Sequence, residues 1–416
     1  MPIVVRPDRS SSVPLPDRSG WPGLAEVPRS AARARAARAF FRQAVRRLDL
    51  RVELPSGRTW GGGGGGSPLM RIVREHEFFA RLGTGGKIGF GEAYMVGAWT
   101  ADDLEGVLRA FAAKVRSLAP RPLHSLRRWY DTAHPAAEDN DLAGARENIS
   151  RHYDLSNELF ELFLDETMTY SSAWFEPGDS FADAQRRKVD GILDLGGVRA
   201  GSSVVEIGTG WGTLAIRAAE RGAEVTTLTI SEEQRRLAEQ RIAAAGVSDR
   251  VRVLLQDYRD AHGTYDSVVS VEMIEAVGEK WWPTYFRTLD RLLAPGGKVG
   301  LQVIVMPHEA LMAISDSYSW VHKYIFPGGL VLSHRVITDV LARHTSLRVV
   351  ERRDLGLSYA MTLRQWRERF LSRWDDVRAL GFDETFRRMW EFYFAYFEAG
   401  FRVGYLDVSQ LSLARV

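Results

Sequence analysis

Val204-Val205-Glu206-Ile207-Gly208-Thr209-Gly210-Trp211-Gly212 is the stretch on which the reading of the chain turns. The apolar run from Ser203 to Ile207 reads as a buried parallel strand. It breaks into three glycines at alternate positions, and Thr213 to Arg221 then follows a helical apolar period. Strand, glycine turn and helix N-terminus together let backbone approach a nucleotide-like ligand closely. A dinucleotide fingerprint is spaced G-x-G-x-x-G. Here the spacing is G-x-G-x-G, with Glu206 two residues ahead of the first glycine. By itself the turn leaves a dinucleotide site, another nucleotide-like ligand and a plain tight turn open.

The 416 residues are enough for two domains, and 45% hydrophobic with 26% charged residues is the balance of a globular enzyme. With no cysteine there are no disulfides, no thiolate metal site and no cysteine nucleophile, and no other metal-ligand set stands out. No apolar run approaches the roughly 18 residues of a membrane-spanning helix, and the N-terminus lacks a signal-peptide core. A cytoplasmic protein is expected. Net charge is +2, but residues 1–50 hold ten arginines, no lysine and only four acids. Such an arm is either solvated or attached to anionic lipid headgroups. No interleaving of basic and aromatic residues accompanies it, so nucleic acid is not expected as a partner.

Residues 30–48 read as a basic amphipathic helix with Phe40, Phe41, Ala44, Val45 and Leu48 on one face. Packing on its own domain is commoner for such a helix than lying in a membrane interface. Arg51–Pro55 and Leu69–Val73 read as strands, with the six glycines Gly61–Gly66 as a hairpin tip. Residues 76–82 and 102–117 read as helices flanking a glycine-rich loop. The first domain is thus a small α+β unit over 1–135, suited to lipid binding or docking. A polar linker follows. Met168–Phe175 fits neither period and reads as a loop, and 182–195 as a helix. From Ser203 onward strands alternate with helices: 224–230, 232–245, 251–255, 266–271, 281–293 and 298–305. This alternation means a parallel sheet wrapped by helices, an α/β fold over 146–416. Helices are expected near 309–323 and 362–402. Leu347–Arg352 and Val408–Ala414 should add an antiparallel edge.

The stretches HYDLSNELF, MTYSSAWF, VVEIGTGWG, LTISEEQ, LQDYRD, SVEMIEAVG, LAPGGK, KYIFPGG and YAMTLRQWRERF follow one another in order. Together they resemble the cyclopropane-fatty-acyl-phospholipid synthases and mycolic acid methyltransferases, and the glycine turn looks like the donor loop of class I methyltransferases. The resemblance implies a Rossmann-like class I methyltransferase domain. It implies S-adenosylmethionine as donor and a membrane phospholipid with an unsaturated acyl chain as substrate. Tyr170, Ser171, Gly208, Gly210, Thr229, Gln234 and Tyr258 match the family's donor-binding positions. Glu206 and Gly212 in the same turn, and Asp257 at a neighbouring strand end, complete the set. The second strand ends at Thr229-Ile230-Ser231 without the acid that usually takes ribose hydroxyls, and Gln234 can bond them instead.

For cyclopropane synthases the resemblance implies a bound bicarbonate as base. It is held by a cysteine, a glutamate, a histidine, a tyrosine and a backbone group. Here the cysteine position is Ser172, the glutamate matches Glu275, the next family histidine is Ala276, the strand histidine aligns with Gln302 near Ile304, and the tyrosine matches Tyr359. Ser and Gln still donate hydrogen bonds, so bicarbonate stays compatible with the set. Tyr318, Trp320, Tyr324 and Phe326 offer aromatic faces to a substrate cation. The departures most resemble the enzymes that make 10-methylene acyl chains on the route to 10-methyl, tuberculostearic-type lipids. That implies methyl transfer to C10 of an oleoyl chain, a hydride shift and proton loss, with a separate reductase saturating the methylene. A homodimer at the inner face of the membrane is also implied. The alternatives are a cyclopropane product and a non-catalytic lipid- or donor-binding homologue.

Overall fold

The computed structural model describes residues 20–114, 156–314 and 317–416. The first nineteen residues of the arginine-rich arm, the polar linker and the first residues of the HYDLSNELF stretch lie outside them. Contacts divide the chain into two units, 1–130 with 382–392, and 131–381 with 393–416.

In the first unit, α1 (Pro22–Ala25) and α2 (Ala31–Val45) precede β1 (Arg51–Glu53), β2 (Thr59–Trp60) and β3 (Leu69–Ile72); α3 (Glu75–Met95), β4 (Trp99–Ala101) and α4 (Leu104–Ala112) follow. The strands form a sheet in the order β2-β1-β3-β4. The α2 face is turned inward at Phe41 and Val45, and Phe41 meets the rings of Phe78 and Phe79 edge-on at 5.2 and 6.0 Å. Phe40, assigned to the same face, is half exposed. Two expectations need correction. The six-glycine run is not the tip of a β1–β3 hairpin, because β1 and β3 are parallel. It is the connection leaving β2, tied back by Gly62 N–H to Leu48 O and Gly63 N–H to Leu50 O. The glycine-rich segment after residue 82 is helical, α3 continuing through a kink at Gly86.

The second unit runs α5 (Asn157–Phe163), α6 (Phe181–Leu195), β5 (Ser203–Ile207), α7 (Thr213–Glu220), β6 (Glu224–Thr229), α8 (Glu232–Ala244), β7 (Val251–Leu255) and β8 (Tyr265–Val271). It continues through α9 (Trp282–Leu292), β9 (Leu293–Val305), α10 (His308–Ile314), α11 (Trp320–Tyr324), α12 (His334–His344), β10 (Leu347–Asp354), α13 (Ser358–Ser372) and α14 (Trp374–Ala379). Last come α15 (Glu384–Arg402), which begins within the first unit, and β11 (Asp407–Arg415). The helices expected near 362–402 are α13, α14 and α15, those expected near 309–323 are α10 and α11, and α12 was not foreseen.

The sheet order is β10-β11-β9-β8-β5-β6-β7. The five strands from β9 to β7 are mutually parallel, and β11 runs against both its neighbours. Both faces are covered, and the pleat shows it: Val204 and Val269 join one apolar cluster, Val205 and Val268 the other. Strand order reverses at β5, which has β8 on one side and β6 on the other. A crevice opens at such a point beyond the carboxyl ends of the strands.

Helix α6 lies close on the sheet because β9 carries a glycine beneath it. A methyl at Gly300 would meet Ile192 O at 2.6 Å and Gly196 N at 3.1 Å. Gly300→Ala is therefore expected to destabilise by about 1–3 kcal/mol, read as a lowered thermal midpoint. A midpoint within error of the wild type would contradict this packing.

Candidate active site

The glycine turn after β5 takes the conformation its spacing suggests. Gly208, Gly210 and Gly212 all have left-handed backbone, at φ 96, 52 and 88°. Gly208 and Thr209 N–H both donate to Leu228 O, which fixes the turn on β6. A methyl on Gly212 would press on Ala238, whereas one on Gly210 would meet open space. That space is a cavity of about 210 Å³ lined by the turn, Tyr170, Ser171, Thr229, Gln234, Asp257, Tyr258 and Glu272, among others. Of the residues expected to hold the donor, all but Gly212 are in this lining.

Gln234 is buried rather than an exposed helix residue, and its Oε1 accepts from the Thr229 hydroxyl at 2.9 Å. Asp257 is spanned by Arg259, whose Nε and Nη2 donate at 2.8 and 2.7 Å. The Tyr170 hydroxyl meets that of Tyr393 at 2.9 Å, and its ring lies 4.9 Å from Trp366. Glu206 shares the β5 face of Val204, beneath α6. Its Oε2 accepts from Thr227 at 2.6 Å, and burial raises its carboxyl to about 8.

The loop 168–175 is irregular but pinned. Ala173 N–H donates to Thr362 Oγ1, Trp174 N–H to Ala184 O, and Gln185 Nε2 to Ser171 O at 3.0 Å. Lys188, buried on the inner face of α6, donates to Ser171 Oγ at 2.7 Å. Burial lowers its ammonium to about 8, against the opposing pull of Glu272, Asp165 and Glu206. Neither Gln185 nor Lys188 was singled out from sequence. The available signal was a polar pair three residues apart on an otherwise apolar helix face.

The expected base-holding set is rearranged. Ser172 and Gln302 have no exposed surface and Tyr359 is 7% exposed, so none of the three lines the cavity. They converge instead on Glu272, at the carboxyl end of β8, which sequence reading passed over. Ser172 N–H donates to Glu272 Oε1 at 2.9 Å, Gln302 Nε2 to the same oxygen at 2.7 Å, and the Tyr359 hydroxyl to Oε2 at 2.8 Å. Gln302 is held in turn: Gln410 Nε2 donates to its Oε1 at 3.0 Å and to Lys188 O at 2.9 Å. Tyr359 is stacked on Phe401 at 4.5 Å.

Glu275, the expected glutamate, does not join the trio. Its Oε1 accepts from Ile304 N–H at 2.5 Å, and its buried Oε2 has no hydrogen-bond partner among the described residues. Burial, and then the charge of Glu272, raise it to about 8. Glu272 is also raised, by burial, but its three donors and Lys188 act to lower it. Three donors thus favour the carboxylate form of Glu272, while Glu275 has Ile304 N–H on one oxygen. Of the proposed aromatic wall, Phe326 contacts Tyr393 edge-on at 5.7 Å, while Trp320 and Tyr324 pack on each other at 5.6 Å. None of the four lines the cavity.

Residues 140–411 match the mycolic acid cyclopropane synthetase family. The chain belongs to this family. Along 96% of both chains it is 50% identical to the tuberculostearic acid methyltransferase UfaA1 of Mycobacterium tuberculosis. It is 33% identical to the cyclopropane-fatty-acyl-phospholipid synthase of Escherichia coli, over 84% of this chain and 89% of that one. The solved structure of the mycolic acid cyclopropane synthase CmaA1 with SAH and CTAB superposes with a TM-score of 0.60 at 29% identity, over 64% of this chain and 97% of that one. This member of the family is an S-adenosylmethionine-dependent methyltransferase, and its class I fold is that of its structural neighbours.

Two outcomes are expected of these residues. Gln234→Ala should weaken S-adenosylhomocysteine binding by about tenfold in calorimetry, the value of one or two hydrogen bonds; unchanged affinity would remove Gln234 from the donor set. For Glu275, an acid held at about 8 in the fold but near 4.5 when unfolded binds its proton only in the folded state between those values. Its contribution to stability is therefore full below the unfolded value and lost as pH rises through 8. Glu275→Gln has no such proton. Its thermal midpoint should gain on the wild type steadily from pH 4.5 to 8, and a constant difference would contradict a neutral Glu275.

Proposed function

We propose that this enzyme methylates the cis double bond of an oleoyl chain on a membrane phospholipid and leaves a 10-methylene acyl chain, the precursor of a 10-methyl branch. The observation that carries the reading is the identity of 50% along nearly the whole chain to a tuberculostearic acid methyltransferase. The more distant cyclopropane synthase likeness supports an olefinic acyl substrate of the same kind.

S-adenosylmethionine supplies a methyl group on a sulfonium, already a strong electrophile. The backbone of Gly208–Gly212, with Thr229, Gln234, Tyr170 and Ser171, is suited to hold and orient it. Methylation of the alkene leaves positive charge on the acyl chain. The centre then has to exclude water, stabilise that charge and accept a proton. A carboxylate at the cavity wall and the surrounding buried aromatic side chains meet these needs. A homodimer, binding at the inner face of the membrane and a separate reductase that consumes the methylene product complete the proposal. Among the described residues no helix is long and apolar enough to cross a membrane.

The test is product identification. Full-length protein incubated with dioleoyl phospholipid vesicles and S-adenosylmethionine should give vinylidene proton signals in the NMR spectrum of the released fatty acids. Upfield cyclopropyl signals without vinylidene signals would replace the methylene reading by ring closure from the same cation.

A further inference from the structure

The bicarbonate implied by the family resemblance does not fit this centre. Of the side chains implied to hold it, Gln302 and Tyr359 already donate to Glu272 at 2.7 and 2.8 Å, and the Ser172 hydroxyl donates to Ala173 O while its backbone N–H is on Glu272 at 2.9 Å. Ser172 and Gln302 are wholly buried and Tyr359 nearly so, and a second anion reaches them only by displacing the carboxylate. The fourth, Glu275, has its Oε1 on Ile304 N–H. Two anions sharing one set of donors would also repel one another.

Glu272 is more than an internal ion. Among the described residues only it and Met168 combine a side chain with left-handed backbone, at φ 48 and 51°, and both line the cavity. Such a conformation strains an L residue, and glycine would avoid the strain. The chain instead places a glutamate there, held by three donors from three segments, with its flank on the donor cavity. We propose that Glu272 is itself the base of the reaction, taking the proton from the cationic acyl chain without bicarbonate, and that Ser172, Gln302 and Tyr359 position it.

This rests on the proposed alkene chemistry. The π pair of the alkene forms the new C–CH₃ bond as the S–CH₃ bond breaks, leaving the cation on the adjacent carbon. A hydride shift moves the charge to the methylated carbon. A C–H bond of the new methyl then breaks, its electron pair becomes the methylene double bond, and the proton passes to the Glu272 carboxylate, which becomes a neutral acid. Glu275 is not placed to do this: it does not line the cavity, and its Oε1 is held by Ile304 N–H. The negative charge of Glu272 also stabilises the cation before the proton moves.

The experiment compares full-length wild type and Glu272→Gln on dioleoyl phospholipid vesicles, in carbon-dioxide-stripped buffer with and without added bicarbonate. The wild-type rate should not depend on bicarbonate. Glu272→Gln should fall below about a tenth of it, towards the hundredfold typical of a lost general base, with affinity for S-adenosylhomocysteine retained. A wild-type rate that drops without bicarbonate, a variant above about a tenth of wild type, or a parallel loss of donor affinity would each overturn the proposal. If Glu272→Gln does not fold, Glu272→Gly, which relieves the left-handed backbone, is read in bicarbonate-free buffer by the same criteria. A second arm needs no turnover: ¹³C-bicarbonate resonances should stay sharp with the wild-type chain, and broadening by it would overturn the proposal. Absence of any wild-type product would fail the substrate reading alone, while the bicarbonate arm still judges Glu272.

Discussion

A carboxylate set in a low-dielectric wall persists as an anion only if hydrogen bonds replace the water it has lost. Glu272 meets that condition with donors from a loop, a central strand and a helix, at residues 172, 302 and 359. Each donor is fixed by packing of its own. The Ser172 loop is sewn to α13 and α6, Gln302 is clamped across the sheet by Gln410, and Tyr359 is stacked on Phe401. The donors are in place before any ligand arrives, which is the condition for an electrostatic contribution to a rate. Removing the carboxylate would leave three buried donors unpaired, so the centre is held together by the same bonds that make it reactive.

Its neighbour shows the other outcome for a buried acid. Glu275 has Ile304 N–H on one oxygen, and burial pushes its carboxyl up to about 8. Two glutamates three residues apart thus sit in different surroundings, set by the donors each receives. Lys188 balances Glu272, Glu206 and Asp165 from beneath. A cluster with several acids therefore carries little net charge beside a pocket that must admit a cationic donor and an apolar chain.

Much of this was legible in the residues. The parallel sheet followed from alternating strand and helix periods, the tight turn after β5 from its glycine spacing, and the donor assigned to that turn from the resemblance of the ordered motifs around it. The residues matched to donor positions came from the resemblance, and Gly208, Thr229 and Tyr258 among them lie at or just after strand ends, where ligands sit in such sheets. The centre of the chemistry was not. Glu272 lies where the β8 period has ended, so no pattern says which way it points, and its left-handed backbone reverses the direction a strand residue would take. Glu275 drew attention through resemblance, which marks positions and does not count donors. Lys188, Gln185 and Gln410 were hidden for another reason. Each occupies a core-facing position that a polar residue normally avoids, and only the fold shows that their partners lie inside. The Gly86 kink and the β1–β3 crossover depend on contacts between segments, which local periodicity does not encode.

The insertion of β11 between β9 and β10 has a consequence for the order in which the molecule assembles. The Gln302–Gln410 contact closes a span of 108 residues. Loop closure over such a length adds little to the free energy but slows the search, since non-local pairings form late. Strands β5 to β8, with their short crossovers, can come together first and shape the donor turn. Gln302 is fixed against Glu272 only after β11 has docked. A folding chain therefore acquires the shape of its cofactor crevice before its reactive carboxylate is locked. The most hazardous step, generating a carbocation, waits for the longest-range pairing in the sheet.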